Sequence, residues 1–270
     1  SKSKYFRPRV DTWVTVSKFY SPIDKPTKRY LLSNTSLIHY TLHRPYPTAT
    51  CGMDALCHAL EAFTSLRQNP YSDSIAIGVI AEVAEWLPKL LDNLSNLEAR
   101  SRIQLSSHMA GAAFGIAGLG ICHAVGHPLS AVLHQAHGQT LATMLPHIME
   151  FNLPARAEKY ARVAEAFGVF DKSKSTEDNA RMAIDAVAKL SIRVGTARSI
   201  EMMGGDASLI PELVEQSMTD TSMRHNVIQP TRSQLTEIFK KALRNPILYP
   251  EKSTSQKKLV KVGTSSSSKL

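Results

Sequence analysis

The stretch from Gly52 to Glu61, Gly-Met-Asp-Ala-Leu-Cys-His-Ala-Leu-Glu, constrains this chain more than any other. Met53, Leu56, Ala59 and Leu60 recur at helical spacing, and no proline or glycine interrupts residues 53–61. A helix there puts Asp54 and His58, four residues apart, on one face with one turn between them. A carboxylate and an imidazole held that way can grip one divalent metal ion. Taken alone, an Asp-x-x-x-His spacing is more often a solvated helical pair.

A second cluster adds weight. His123 and His127 repeat the four-residue spacing within Gly118-Leu119-Gly120-Ile121-Cys122-His123-Ala124-Val125-Gly126-His127-Pro128-Leu129, and His137 follows in Gln135-Ala136-His137-Gly138. One carboxylate and several histidines from two separated segments are what a catalytic metal site needs. The protein fills most of the coordination and leaves one position for substrate.

From residue 48 onward the pattern predicts a mainly α domain. Ser72 is suited to cap a helix with the stripe Ile75, Val79, Val83, Trp86 and Leu90, which Pro88 should kink or shorten. Glu98 to Ala117 reads as another helix, with Ile103, Ala110 and Phe114 on one side; Gly118 and Gly120 end it, and Pro128 should bend the segment after His127. Pro154 suits the first turn of a helix ending at Gly168. Ser175 and Asp178 have capping spacing ahead of Ile184, Val187, Leu190 and Val194, and Thr231 with Gln234 caps a last helix carrying Leu235, Ile238, Phe239 and Ala242. His39, His43, His108, His134, His147 and His225 are read as structural or solvated, with His134 the one nearest the cluster.

The formal charge of +9 is concentrated at the two ends. Residues 1–30 hold eight Lys/Arg against Asp11 and Asp24, and residues 240–270 hold eight against Glu251. Two solvated termini account for this, and no ordered basic face argues for a nucleic-acid partner. No run of about eighteen apolar residues suggests a membrane span, and the first residues lack a signal-type apolar stretch. Three cysteines, Cys51, Cys57 and Cys122, fit a reducing compartment; Cys57 and Cys122 read as helix-packing residues. Residues 246–270 turn to Lys and Ser and are expected to be disordered. They end in Ser268-Lys269-Leu270, which has the form of a receptor-read peroxisomal address; otherwise a cytoplasmic protein is expected.

Several motifs in order resemble the C-terminal helical domain of the iron-containing (group III) alcohol dehydrogenases. They are the Gly52–Glu61 helix, Asn69-Pro70-Tyr71-Ser72-Asp73, the Gly118–Leu129 run, His137-Gly138, and Leu145-Pro146-His147-Ile148-Met149-Glu150-Phe151-Asn152. The resemblance spans about Thr48 to Leu243. It implies the dehydroquinate synthase-like fold, with an all-helical domain over 48–245 and only a remnant of the nucleotide-binding α/β domain in 1–47. It further implies Asp54, His58, His123 and His137 as metal ligands for Fe(II) or Zn(II), His127 as a proton relay, and Phe114 in the substrate pocket. NAD or NADP, a small alcohol or carbonyl substrate and a homodimer follow from the same resemblance. No glycine-rich dinucleotide turn is found: Gly118-x-Gly120 has His123 where the third glycine should fall, so no residue is assigned to the nicotinamide. Asn226-Val227-Ile228 stands where the family usually reads Asn-Pro-Arg, and Ser130 replaces a usual glycine; both concern local backbone. A glycerol dehydrogenase-like enzyme, or a catalytically incompetent metal-binding fragment acting through a partner chain, are the alternatives.

Overall fold

Eight α-helices and three short 3-10 turns, with no strand, make up the described residues 44–244 of the computed structural model. The helices are α1 (Pro45–Thr64), α2 (Pro70–Asp92), α3 (Leu97–Ala117), α4 (Ile121–Leu133), α5 (His137–Ala166), α6 (Thr176–Arg193), α7 (Ile210–Thr219) and α8 (Arg232–Arg244). Residues 1–43, with His39 and His43, the tail and the Ser268-Lys269-Leu270 tripeptide lie outside the described residues.

Helix α1 is the hub and packs against α2, α3 and α5. From Thr48 to Thr64 every residue is buried except Cys51, Asp54 and His58. These three lie on one stripe, so the most buried helix has a single wet edge and carries its polar pair there. Met53, Leu56, Leu60 and Phe63 fill its other faces, each side chain stabilising the fold by about 1.5–3 kcal/mol on burial.

The ends of these elements are closed by side chains. α2 begins at Pro70, one turn earlier than Ser72 suggests. Asn69 is its cap, and Ser72 returns the bond: Asn69 Oδ1 accepts from Ser72 N at 3.1 Å, and Ser72 Oγ from Asn69 N at 3.0 Å. The helix runs through Pro88 to Asp92 rather than stopping. The C-terminal carbonyls of α1 receive Arg156, whose Nε donates to Thr64 O at 2.8 Å. Arg156 is also the one non-helical residue inside α5 (φ −139°, ψ 23°). Pro154 therefore sits just ahead of a kink, beyond which a second helical segment starts and runs to Ala166. Ser175 and Thr231 cap α6 and α8 as their spacing predicts.

Helix α5 lies close against α1. A Cβ on Gly138 would sit 2.0 Å from the Thr50 carbonyl oxygen, so only glycine permits the approach that places His137 near Asp54. Gly138→Ala should therefore destabilise the domain by about 1–3 kcal/mol. Gly111→Ala, at a helical site where a Cβ meets nothing within 4 Å, should stabilise it by about 0.5–1 kcal/mol. Urea denaturation followed by circular dichroism checks both signs.

Candidate metal centre

Three helices deliver the histidine cluster to one point. α1 supplies Asp54 and His58, α4 supplies His123, and α5 opens with His137. Asp54 Oδ1 is the common centre: His58 Nε2 lies 3.4 Å away, His123 Nε2 3.7 Å and His137 Nε2 3.9 Å. None of the three is a hydrogen bond, and the two longer ones exceed the reach of one. Two ligands each about 2.1 Å from a tetrahedral ion stand roughly 3.4 Å apart, so the spacing suits an ion between them. Asp54 Oδ1 and His123 Nε2 are buried without a hydrogen-bond partner, which costs energy unless something else meets them. Ligand atoms of Asp54, His58 and His123 lie within 4.8 Å of one another. The donor set, one carboxylate and three imidazoles, suits iron or zinc.

For His58 and His137 the electrostatics favour the neutral ring, with a lone pair free for an ion. Burial pushes the His58 imidazole down to about 4 and also lowers His137. Burial alone would raise the Asp54 carboxyl, but His123, His58 and His137 around it more than reverse this and hold it below its ordinary value. His123 moves the other way: burial opposes its charge, yet the Glu61 carboxylate pushes it up to about 12.

Glu61 is a site residue whose role the spacing did not disclose. It lies seven residues after Asp54 on α1 and is buried. Its Oε2 is 2.6 Å from His123 Nδ1, and its Oε1 accepts from Cys122 N at 2.6 Å and more weakly from His123 N at 3.4 Å. It therefore closes the N-terminus of α4, whose own cap position, Gly120, has no side chain to offer. Gly120 is required there: a Cβ would fall 2.8 Å from Asn226 Oδ1 and 3.0 Å from Glu61 Oε1. Asn226 Oδ1 accepts from Ile121 N at 3.3 Å, and its Nδ2 donates to Asn152 Oδ1 at 2.8 Å. Asn226, the residue of the 226–228 segment that matches the family pattern, thus serves the backbone of a helix about a hundred residues earlier. Cys57, Glu61 and Cys122 also converge; the Glu61 oxygens are already engaged, and both thiols are fully buried packing groups whose pKa burial raises.

His127 stands apart from the four. It is 45% exposed, stacks on His137 with ring centroids 5.1 Å apart, and its Nδ1 is 2.7 Å from Asp220 Oδ2. Asp220 also caps the 3-10 turn Thr221–His225. Burial would raise its carboxyl, but the His127 bond holds it below the ordinary value. Phe114, from α3, sits 4.4 Å from the His58 ring, centroid to centroid. His134 is not a member: it takes the left-handed C-cap of α4 (φ 50°) and is exposed. Ser130 also serves backbone, donating to Gln135 O at 2.7 Å.

Comparison with known proteins agrees with this picture. Residues 48–243 match the Fe-containing alcohol dehydrogenase family, C-terminal part. The chain is 37% identical to 1,3-propanediol dehydrogenase of Citrobacter freundii, covering 74% of this chain and 52% of that protein. It is 33% identical to NAD-dependent methanol dehydrogenase of Bacillus methanolicus, covering 73% and 51%. A crystal structure of 1,3-propanediol oxidoreductase superposes with a TM-score of 0.74 at 34% identity, over 75% of this chain and 53% of that one. The chain spans about half the length of the curated relatives it matches. On the family match over residues 48–243 and the shared fold, the chain belongs to the iron-containing alcohol dehydrogenase family, with the helical C-terminal domain that carries its histidine cluster.

Proposed function

We propose that this chain carries the metal-binding part of an alcohol oxidoreductase. In this reading Asp54, His58, His123 and His137 hold one divalent ion, Fe(II) first and Zn(II) as the alternative. Beside it a small alcohol and its aldehyde or ketone are interconverted, with NAD or NADP as hydride carrier and a homodimer as the assembly. The observation that carries the reading is the approach of three imidazole Nε2 atoms to Asp54 Oδ1 at 3.4–3.9 Å, with that oxygen and His123 Nε2 otherwise unpartnered. Family membership supports it, and the names of the two relatives above fit short alcohols, one of them with NAD.

The bound ion would act as a Lewis acid towards an alcohol or carbonyl oxygen. The chain's own residues do the rest. Phe114 and the His58 ring give the substrate carbon an apolar and aromatic wall. Asp220 holds Nδ1 of His127, so Nε2 is the ring position left to exchange a proton with a substrate hydroxyl, and the exposed edge of the ring leads that proton to water. Nothing in 1–270 has the spacing of a dinucleotide-binding glycine turn. This favours a second reading, in which the chain holds metal but does not turn over alcohol unaided.

NADH titrated into the iron-loaded chain separates the two. Saturable binding, with oxidation of a short alcohol or diol in the presence of NAD, supports the first; no binding, with bound metal and helical circular dichroism intact, supports the second. His123→Ala should lose its ion in metal analysis after gel filtration, while Cys51→Ser keeps it. Full occupancy in His123→Ala would sink the ligand set. The metal-free chain should also show a pH signature. Folded His58 titrates near 4 against an ordinary 6.5, so between those values the unfolded chain binds a proton that the folded chain refuses. Stability present above about pH 6.5 is then lost as pH falls towards 4. The urea midpoint should drop over that window, and less steeply in His58→Gln.

A further inference from the structure

We infer that Glu61 is a positioning residue that selects which nitrogen of His123 faces a metal ion, and that the same carboxylate does this while capping helix α4. The inference rests on the metal reading above. A carboxylate only accepts hydrogen bonds. With Glu61 Oε2 at 2.6 Å, Nδ1 of His123 must carry a proton and donate it. An imidazole that binds a metal keeps one ring proton, so with Nδ1 protonated the lone pair offered to the ion falls on Nε2. Nε2 is the atom that looks towards Asp54 Oδ1 at 3.7 Å and has no other partner. The other neighbour of Nδ1, Cys57 Sγ at 3.9 Å, is too weak a partner to decide the matter. Both His123 and Glu61 are buried, at 1% and 6% side-chain exposure, so water does not compete for either end of the bond.

Glu61 has two oxygens and meets two kinds of donor. Oε2 takes the imidazole, and Oε1 takes the Cys122 N–H at 2.6 Å. One side chain thus holds the ring and the backbone that bears the adjacent residue. A glutamine at this position has one acceptor and one donor, and cannot serve both. With its oxygen on Cys122 N, its amide faces Nδ1; the ring must then accept there and carry its proton on Nε2, aimed at the ion. Flipped, it sets N–H against N–H at the start of α4.

The test is zinc titration of the whole chain in competition with a chelating dye. Glu61→Gln should bind zinc about 10–100-fold more weakly than the natural chain, with helical circular dichroism retained. Cys57→Ala removes the other neighbour of the same ring nitrogen and should leave the affinity unchanged. Equal zinc affinity in Glu61→Gln and the natural chain overturns the inference. A second measurement needs no variant. Nitrogen-15 histidine spectra of the natural chain should place a proton on His123 Nδ1, hydrogen-bonded and slow to exchange, and in the zinc-loaded form a metal-shifted Nε2. A proton on Nε2 with Nδ1 bare overturns it regardless of how the variant folds. Failure of the natural chain to bind zinc or iron sinks the metal reading instead, and the Nδ1 proton is then judged on the metal-free spectrum.

Discussion

The carboxylate of Glu61 is the interaction on which the remaining architecture turns. A charge this deep is costly unless every lone pair finds a donor. Here the donors are the imidazole of His123 and the first free N–H groups of α4. The helix start therefore comes to the charge, and the histidine comes with it. Asn226 completes the junction from the far side, tying Ile121 N to Asn152 on α5. Remove the carboxylate and α1 and α4 lose their shared anchor. That is a different dependence from apolar packing, in which losses are local and roughly proportional to area.

Around this junction the packing explains why the polar face opens in one direction only. α1 is covered by α2, α3 and α5 on all sides but the Cys51–Asp54–His58 stripe. α5 presses so near that Gly138 has no room for a side chain. Beyond the core, Lys159 pairs with Asp73 and lies over the Phe63 ring, and Arg156 holds the last carbonyls of α1. These contacts pin the C-terminal end of α1, just beyond His58. Among the described residues no single helix is long and apolar enough to cross a membrane.

Much of this was legible in the chain itself, and the reason is local geometry. Asp54 with His58, and Ser175 with Asp178, are pairs whose spacing alone puts them on one helix turn. Helical periodicity also located α1, α3, α6 and α8. Two boundaries were not legible: Asn69 competes with Ser72 for the same cap, and Pro154 lies ahead of a kink at Arg156 that no local signal marks. The unread part of the site is long-range. Glu61 meets His123 across 62 residues and Asp220 meets His127 across 93; no spacing rule reaches that far. Glu61 did carry a clue, a charged group in an otherwise apolar helical stretch, whereas Asp220 sits in a polar run that gives none.

The wet edge of α1 holds a sulfur as well as a carboxylate. Cys51 is exposed, one turn before Asp54, and its thiol is pushed above the ordinary value by partial burial and by the negative charge of Asp54. The thiolate is the form that attacks electrophiles and peroxides. At neutral pH this sulfur stays protonated and a poor nucleophile. An electrophile at this edge meets no ready trap, and an oxidant finds no easy electron donor. Partial burial, with the aspartate's help, thus keeps this edge of α1 chemically quiet.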